Sequence, residues 1–236
     1  MNGDGFTVGV FAPMPSELRP VVRAFGLDAT RIGEIDAYVG TVAGTHVVAV
    51  TTGMGTALAS AAADGLLEAL AVDHALVVGI AGGVTAQIGD LLVPETVVDG
   101  ASGAEYRAHP FGGSALRGRV STSDEFIVDP ARLRALADAG VEAVDMETAA
   151  IAAVCEQRAI PWTAFRVISD MATESEEAIL GLANADGSPN ALAALRYMAR
   201  KPWRVPYLVR LGRDSARAAD AAAGAASAAV RAHAEL

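Results

Sequence analysis

Three acidic residues stand where an apolar run gives way to polar sequence, the places at which a carboxylate can be held against a protein interior. Glu17 ends the turn APMPSE after the run 6–12, Glu147 follows EAVDM, and Asp170 closes RVISD. Carboxylates at the ends of separate apolar strands can converge on one pocket, where loss of water raises their proton affinity. One acid and one base in different environments can then divide proton transfer between them. Each residue also has a plainer reading. Glu17 would serve as a solvated carboxylate in the first turn of a helix, and Asp170 as a helix N-cap. Glu147, within a helical alanine-rich segment, resists that treatment, because a charge facing a buried helix needs a partner.

The elements that must position these residues follow from apolar periodicity. An apolar run over 6–12, the turn APMPSE and the periodic segment ELRPVVRAF read as strand, functional turn and helix. IDAYVGTVAG and THVVAVTT read as a hairpin with Gly44 at its tip. A glycine turn opens the helix TGMGTALASAAADGLLEAL, and HALVVGIAGGV is a buried strand ending in a second glycine turn. GDLLVPETVVDG is a strand that Pro94 breaks or places at an edge. Residues 100–118 lack periodicity and read as a loop. Strand RVSTSD, helix PARLRALADA, strand EAVDM, helix ETAAIAAVCEQRA and buried strand IPWTAFRVISDMA follow, with the acidic stretch TESEE after the last. The last quarter is helical and alanine-rich. Strands alternating with helices predict a single α/β domain over 1–236, a mixed, largely parallel central sheet flanked by helices, with 190–236 a helical C-terminal segment. Function in such sheets gathers at the loops leaving the strands.

Composition narrows the choices. The 236 residues suit one domain, and 52% hydrophobic content with a mean hydropathy of +0.34 predicts a globular chain. A net charge of -10 argues against a nucleic-acid groove, which needs a concentrated basic patch. The single cysteine, Cys155, sits in the apolar run IAAVC and reads as a buried hydrophobe. His46, His74, His109 and His233 show no metal-ligand spacing, so neither a metal nor a cofactor is expected. The start MNGDGF does not read as a signal peptide, and a cytoplasmic location is expected.

The segments GVFAPMPSEL, TTGMGTALA, VVGIAGGV, STSDEFI, VDMETAAIAAVC and FRVISDMA resemble, in order, those of the nucleoside phosphorylase and nucleosidase superfamily. Within it they resemble the methylthioadenosine/S-adenosylhomocysteine nucleosidases. The resemblance implies hydrolysis of the N-glycosidic bond of a purine nucleoside, with adenine as the expected base. It makes Glu17 the carboxylate that deprotonates the attacking water and Asp170 the acid that protonates purine N7, oriented by Ser169. Glu147 and Met146 would bind the ribose, Phe126 would stack on the base, and Ile127 would read its edge through the backbone. Arg166 would stand behind the acid and the ribose-binding carboxylate. Met14 and Met54 would line the ribose and 5′ region, and Gly82 lies in the glycine turn GIAGG, which brings open backbone amides. The chemistry agrees: a purine anion is a poor leaving group, and an oxocarbenium-like state needs a carboxylate and a captured water.

Phosphorolysis needs cations around phosphate. Superfamily phosphorylases carry an arginine and a hydroxyl residue near the strand that here reads VVGIAGG, where this chain offers Ile80 and Ala81. The early phosphate-cradling glycine turn is replaced by APMPSE, whose Glu17 would repel the anion, so hydrolysis is expected over a phosphate-dependent purine nucleoside phosphorylase. A futalosine-type hydrolase would be expected to alter the purine-facing acid, whereas Asp170 is intact. A non-catalytic nucleoside-binding protein would not need all three carboxylates. Departures from the nucleosidase pattern bear on the 5′ substituent: Thr173 where a second aspartate is usual, Ile80 where serine is usual, and Pro15 and Ser16 in place of acidic residues.

In the tail, ARKPWRVPYLVRLGRDSAR places Trp203, Tyr207, Leu208 and Leu211 at helical spacing among Arg200, Lys201, Arg204, Arg210 and Arg213. The simpler expectation is a helix packing that apolar stripe on the sheet. The alternative is peripheral membrane contact. The tail resembles those of hopanoid-associated members of the superfamily, which remove adenine from a lipid-linked adenosyl group, and this implies a bulky or apolar 5′ group. The resemblance also implies a homodimer.

Overall fold

The computed structural model describes residues 5–172 and 200–235. The acidic stretch TESEE, Thr173 and the first ten residues of the expected segment 190–236 lie outside the described residues. β1 (Thr7–Ala12) is buried beyond its first residue. α1 (Pro15–Phe25) starts two residues before the expected segment, because Pro15 suits a first helical turn and the Glu17 carboxylate accepts the Met14 N–H. It ends at Gly26, which takes the left-handed conformation (φ 65°). β2 (Asp28–Ile32), β3 (Ile35–Val42) and β4 (Thr45–Thr51) form an antiparallel meander. The β3–β4 hairpin has Gly44 at its tip as expected; β2 was not expected, since four of its five residues face water and DATRI lacks apolar alternation.

α2 (Thr56–Ala69) leads into β5 (His74–Gly83), the strand on which the sheet is centred. Around Pro94 the expected strand divides into β6 (Leu91–Leu92) and β7 (Thr96–Asp99). β8 (Glu105–Arg107) corrects the expected loop over 100–118: these three residues pair antiparallel with β7, too short and exposed a strand to leave a periodic signature. β9 (Arg119–Thr122), α3 (Pro130–Asp138), β10 (Ala143–Asp145), α4 (Thr148–Gln157), β11 (Trp162–Met171) and α5 (Val205–His233), the last entered through a 3-10 turn at Pro202–Arg204, complete the described elements. Two expectations about the acids change here. Glu147 stands at the N-cap position of α4 rather than within the helix, and Asp170 lies inside β11 rather than capping a helix.

The sheet runs β2-β3-β4-β1-β5-β10-β9-β7-β8, with β11 on the other side of β5. It is mixed: β1, β4, β5 and β11 are parallel, and β10 runs antiparallel to β5. β1 pairs with β5 over Val8–Phe11 and His74–Val77, and β10 pairs with the same edge at Gly82 and Gly83. Two strands thus approach each other end to end along one edge of β5, leaving Val78–Ala81 between them. The turns leaving β1 and β10 open at that seam.

Alternation along β1, β5 and β11 sends side chains to two cores. Phe11, Val77, Trp162 and Ile168 pack under α2 and α4, whereas Val10, Leu76, Phe165 and Val167 pack under α1 and α5. Cys155 is buried in the first of these, and burial pushes its thiol up to about 12. α5 corrects the expectation for the tail. Its buried stripe is Ala218, Ala219, Ala222, Ala223, Ala226, Ser227, Ala229 and Val230, while of the expected stripe Tyr207, Leu208 and Leu211 are only half-buried and Trp203 is 70% exposed. Small side chains let the helix lie close to the sheet, and their low hydropathy contrast hid that face in the sequence.

Candidate active site

Glu17 is carried to the seam by the turn after β1. Although it lies in the first turn of α1, it is only 2% exposed, so the solvated-carboxylate reading does not hold. One carboxylate oxygen accepts the Met14 N–H (3.0 Å) and the other the Ile80 N–H (2.8 Å), which fixes the group across β5. Gly79 makes room: a Cβ there would overlap Glu17 Oε1 and stand 2.5 Å from Arg166 Nη1. Burial raises the Glu17 pKa from 4.5 to about 7, against the lowering effects of Arg166 and the two backbone donors.

Glu147 arrives from the opposite direction, past the end of β10. It accepts the Gly55 N–H (3.0 Å) on one oxygen, and its other oxygen is 3.5 Å from Arg166 Nη2. Burial pushes its pKa up to about 8, with Arg166 pulling the other way and Asp145 and Glu17 reinforcing the rise. Arg166 is fully buried and stands behind the cavity wall. It is held by Asp145 Oδ2 (2.8 Å) and by Thr148 Oγ1, which accepts from its Nε and Nη2 at 3.1 and 2.9 Å.

β11 supplies the third acid through an irregularity. Ile168 pairs with Ala81 and Asp170 with Gly82, so Ser169 is an inserted residue, a bulge of the kind that re-aims side chains beside sites. Ser169 Oγ donates to Asp170 Oδ1 at 2.5 Å.

These residues surround a cavity of about 170 Å³. Met14, Glu17, Met54, Gly82, Phe126, Ile127, Met146, Glu147, Ser169 and Asp170 all line it; of the residues singled out in the sequence, Arg166 alone does not. Glu125, Asp145, Glu17, Glu147 and Asp170 are its acidic lining, and none of the described lining residues is a lysine or arginine. Such a wall receives a neutral or cationic solute and disfavours phosphate. A carboxylate whose pKa lies near 7 can take a proton from water at neutral pH, and a second carboxyl across the cavity can return one.

Three residues bonded to the site's elements, Asp145, Thr148 and Asp124, escaped the sequence reading. Asp145 and Thr148 flank the singled-out pair Met146 and Glu147, and Arg166 in an apolar strand was itself a signal that a buried counterion must exist. Asp124 accepts from the Thr56 N–H (2.7 Å) and hydroxyl (2.5 Å), tying the loop that carries Phe126 to the start of α2.

The model of the phosphorylase superfamily matches residues 7–116 and 108–196. The chain belongs to the phosphorylase superfamily. Among superfamily members, it is 31% identical over 198 residues to the 5′-methylthioadenosine/S-adenosylhomocysteine nucleosidase of Shewanella putrefaciens, a match covering 70% of this chain and 86% of that protein. The nucleosidase of Neisseria meningitidis in complex with methylthio-immucillin-A shares the fold at a TM-score of 0.73 and 20% identity, over 95% of this chain and 98% of that one. Futalosine hydrolase of Helicobacter pylori shares it at a TM-score of 0.73 and 18% identity, over 95% and 97%.

Proposed function

We propose that the chain hydrolyses the N-glycosidic bond of a purine nucleoside, adenine being the base, and releases free base and a ribosyl product. The observation that carries this reading is Glu17: a buried carboxylate clamped by two backbone amides, facing a cavity walled by acids, with a pKa of about 7. Glu17 takes a proton from water as the oxygen attacks the anomeric carbon. The bond from that carbon to the purine breaks, and Asp170, oriented by Ser169, gives its proton to N7. Glu147 and Met146 hold the ribose, Phe126 stacks on the base, the Ile127 backbone reads its edge, and Met14 and Met54 border the 5′ region. Gly82, in β5, borders the bound nucleoside. The names of the relatives support a 5′-thio-substituted adenosine as substrate. The test is a panel of purine nucleosides with varied 5′ groups, with free base measured by chromatography in the presence and absence of phosphate. Base release that requires phosphate would replace hydrolysis by phosphorolysis, and release confined to futalosine would change the substrate.

A second reading concerns a lipid-linked 5′ group. The stretch 200–213 carries five cations and no acid on a chain of net charge -10, and Trp203 and Val209 are exposed within it. No described helix is long and apolar enough to cross a membrane, so contact would be peripheral. Co-sedimentation with anionic vesicles should capture the protein at low salt, and Trp203→Ala with Arg213→Glu should release it. Absence of binding at low salt removes this reading. A cytoplasmic homodimer, one domain per chain over 1–236, completes the proposal; light scattering reads the mass of the assembly.

A further inference from the structure

One buried guanidinium serves three carboxylates. Arg166 lies closest to Asp145, at 2.8 Å, and more distantly to Glu147, at 3.5 Å. It forms no close ion pair with Glu17, but the two groups flank the space left by Gly79 and its charge acts on that carboxylate across it. Asp145 is fastened more firmly than either glutamate. Its Oδ1 accepts from the Thr122 hydroxyl (2.6 Å) and the Thr148 N–H (3.4 Å), and its Oδ2 from the Thr148 hydroxyl. Thr122 is itself held by the Ala149 N–H at 2.9 Å. These bonds satisfy Asp145 as an ionised group and prevent it from turning away. Although Asp145 borders the cavity, both of its oxygens are engaged by Thr122, Thr148 and Arg166, so it is placed to act through the arginine rather than on a solute.

We infer that Asp145 is a positioning residue for the proposed hydrolysis: it holds Arg166 against β10 and divides that cation's charge, leaving Glu17 basic enough to take a proton from water. The inference rests on Glu17 being the base. Among the described residues, β11 presents Arg166 and, across the cavity, Asp170; β10 presents Asp145, the start of α4 Glu147, the loop after β9 Glu125, the turn after β1 the Met14 N–H and β5 the Ile80 N–H. Arg19 and Arg23 on α1 and Asp220 on α5 are exposed. Asp145 raises the proton affinity of both glutamates, and Arg166 lowers it. Without an Asp145 charge, the whole of the guanidinium charge falls on the glutamates, and Glu17 becomes a weaker base.

The test is the pH profile of kcat/KM for Asp145→Asn, whose side chain keeps the shape. The acid limb should move down by about one pH unit, the size of effect a nearby charge has on a carboxyl. The plateau kcat should fall about tenfold or more, because a weaker base accepts the proton less readily. Asp145→Glu should restore the wild-type limb. An acid limb that stays in place while kcat falls would show a merely structural role and end the proposal. Carbon-13 NMR of Glu-labelled protein, with Glu17→Gln for assignment, reads the same shift without turnover. Wild-type protein that releases no base would defeat the hydrolysis, whereas an unmoved Glu17 titration in Asp145→Asn would defeat this inference alone. If the asparagine variant fails to fold, Asp145→Ser, which keeps a hydroxyl for Thr148, carries the same two outcomes.

Discussion

At Glu17 two backbone amides, one guanidinium and the loss of water act on a single carboxylate, and their balance decides whether it can take a proton. Replacing it by Gln keeps the amide contacts at one oxygen but removes the base. Glu17→Gln and Asp170→Asn should each lower kcat at least about a hundredfold, within the usual range for general acid or base help. Near-normal turnover in folded Asp170→Asn would remove the acid from the scheme. Gly79 offers a finer test, since it never touches a solute. Gly79→Ala inserts a methyl group between Glu17 and Arg166, and a displacement on the order of 1 Å should cost about a hundredfold in kcat. Circular dichroism should stay unchanged, and a normal kcat would mean that Glu17 needs no such placement. The three acids were legible because each interrupts an apolar run. Asp145 was not, because in VDMET it stands two residues from a better candidate, and only its closer contact with Arg166, 2.8 Å against 3.5 Å for Glu147, tells the two apart.

Among the elements, α5 departs furthest from its sequence pattern. Hydropathy marks Trp203, Tyr207, Leu208 and Leu211, yet the buried face is the alanine stripe from Ala218 to Val230. Alanine contributes little transfer energy per residue but permits close approach, and the same approach requires Gly112, where a Cβ would overlap the Ala229 carbonyl. Ala226, fully buried on that stripe, should tolerate no enlargement. Ala226→Leu is expected to destabilise the fold by about 1–3 kcal/mol through overpacking. Urea denaturation checks this, and an unchanged midpoint would mean that the helix can lift off the sheet freely. The bulge at Ser169 is the other element-scale device, and nothing in RVISD reveals it. An inserted residue depends on the register of β11 against β5, which is a relation between strands.

For the whole molecule, buried groups with displaced proton affinities make stability depend on pH. The pKa values of Glu17 and Glu147, about 7 and about 8, lie above the ordinary 4.5, so the folded chain binds these protons more tightly than the unfolded one. Their contribution is fully present below pH 4.5 and is lost as pH rises through those values. His74 has the opposite sign: burial, aided by His109 and His233, lowers its pKa from 6.5 to about 3. Its contribution is complete above pH 6.5 and is lost as pH falls towards 3. Above pH 6.5 the glutamates should therefore govern. The Tm should decline towards pH 9, and Glu17→Gln should flatten that decline. Equal slopes for the two proteins would contradict the burial of an ionisable Glu17.

Periodicity in the sequence determined the α/β class, most of the strand and helix order, and the turns that carry the acids, because those depend on which side chains neighbours in the chain can bury together. The tertiary structure decided the rest. β1 and β10 meet end to end on one edge of β5, which brings residues 17, 147 and 170 around one cavity. It also decided that one arginine must serve three carboxylates. Charge balance in a dry interior is set by distances across strands, and no spacing along the chain encodes it.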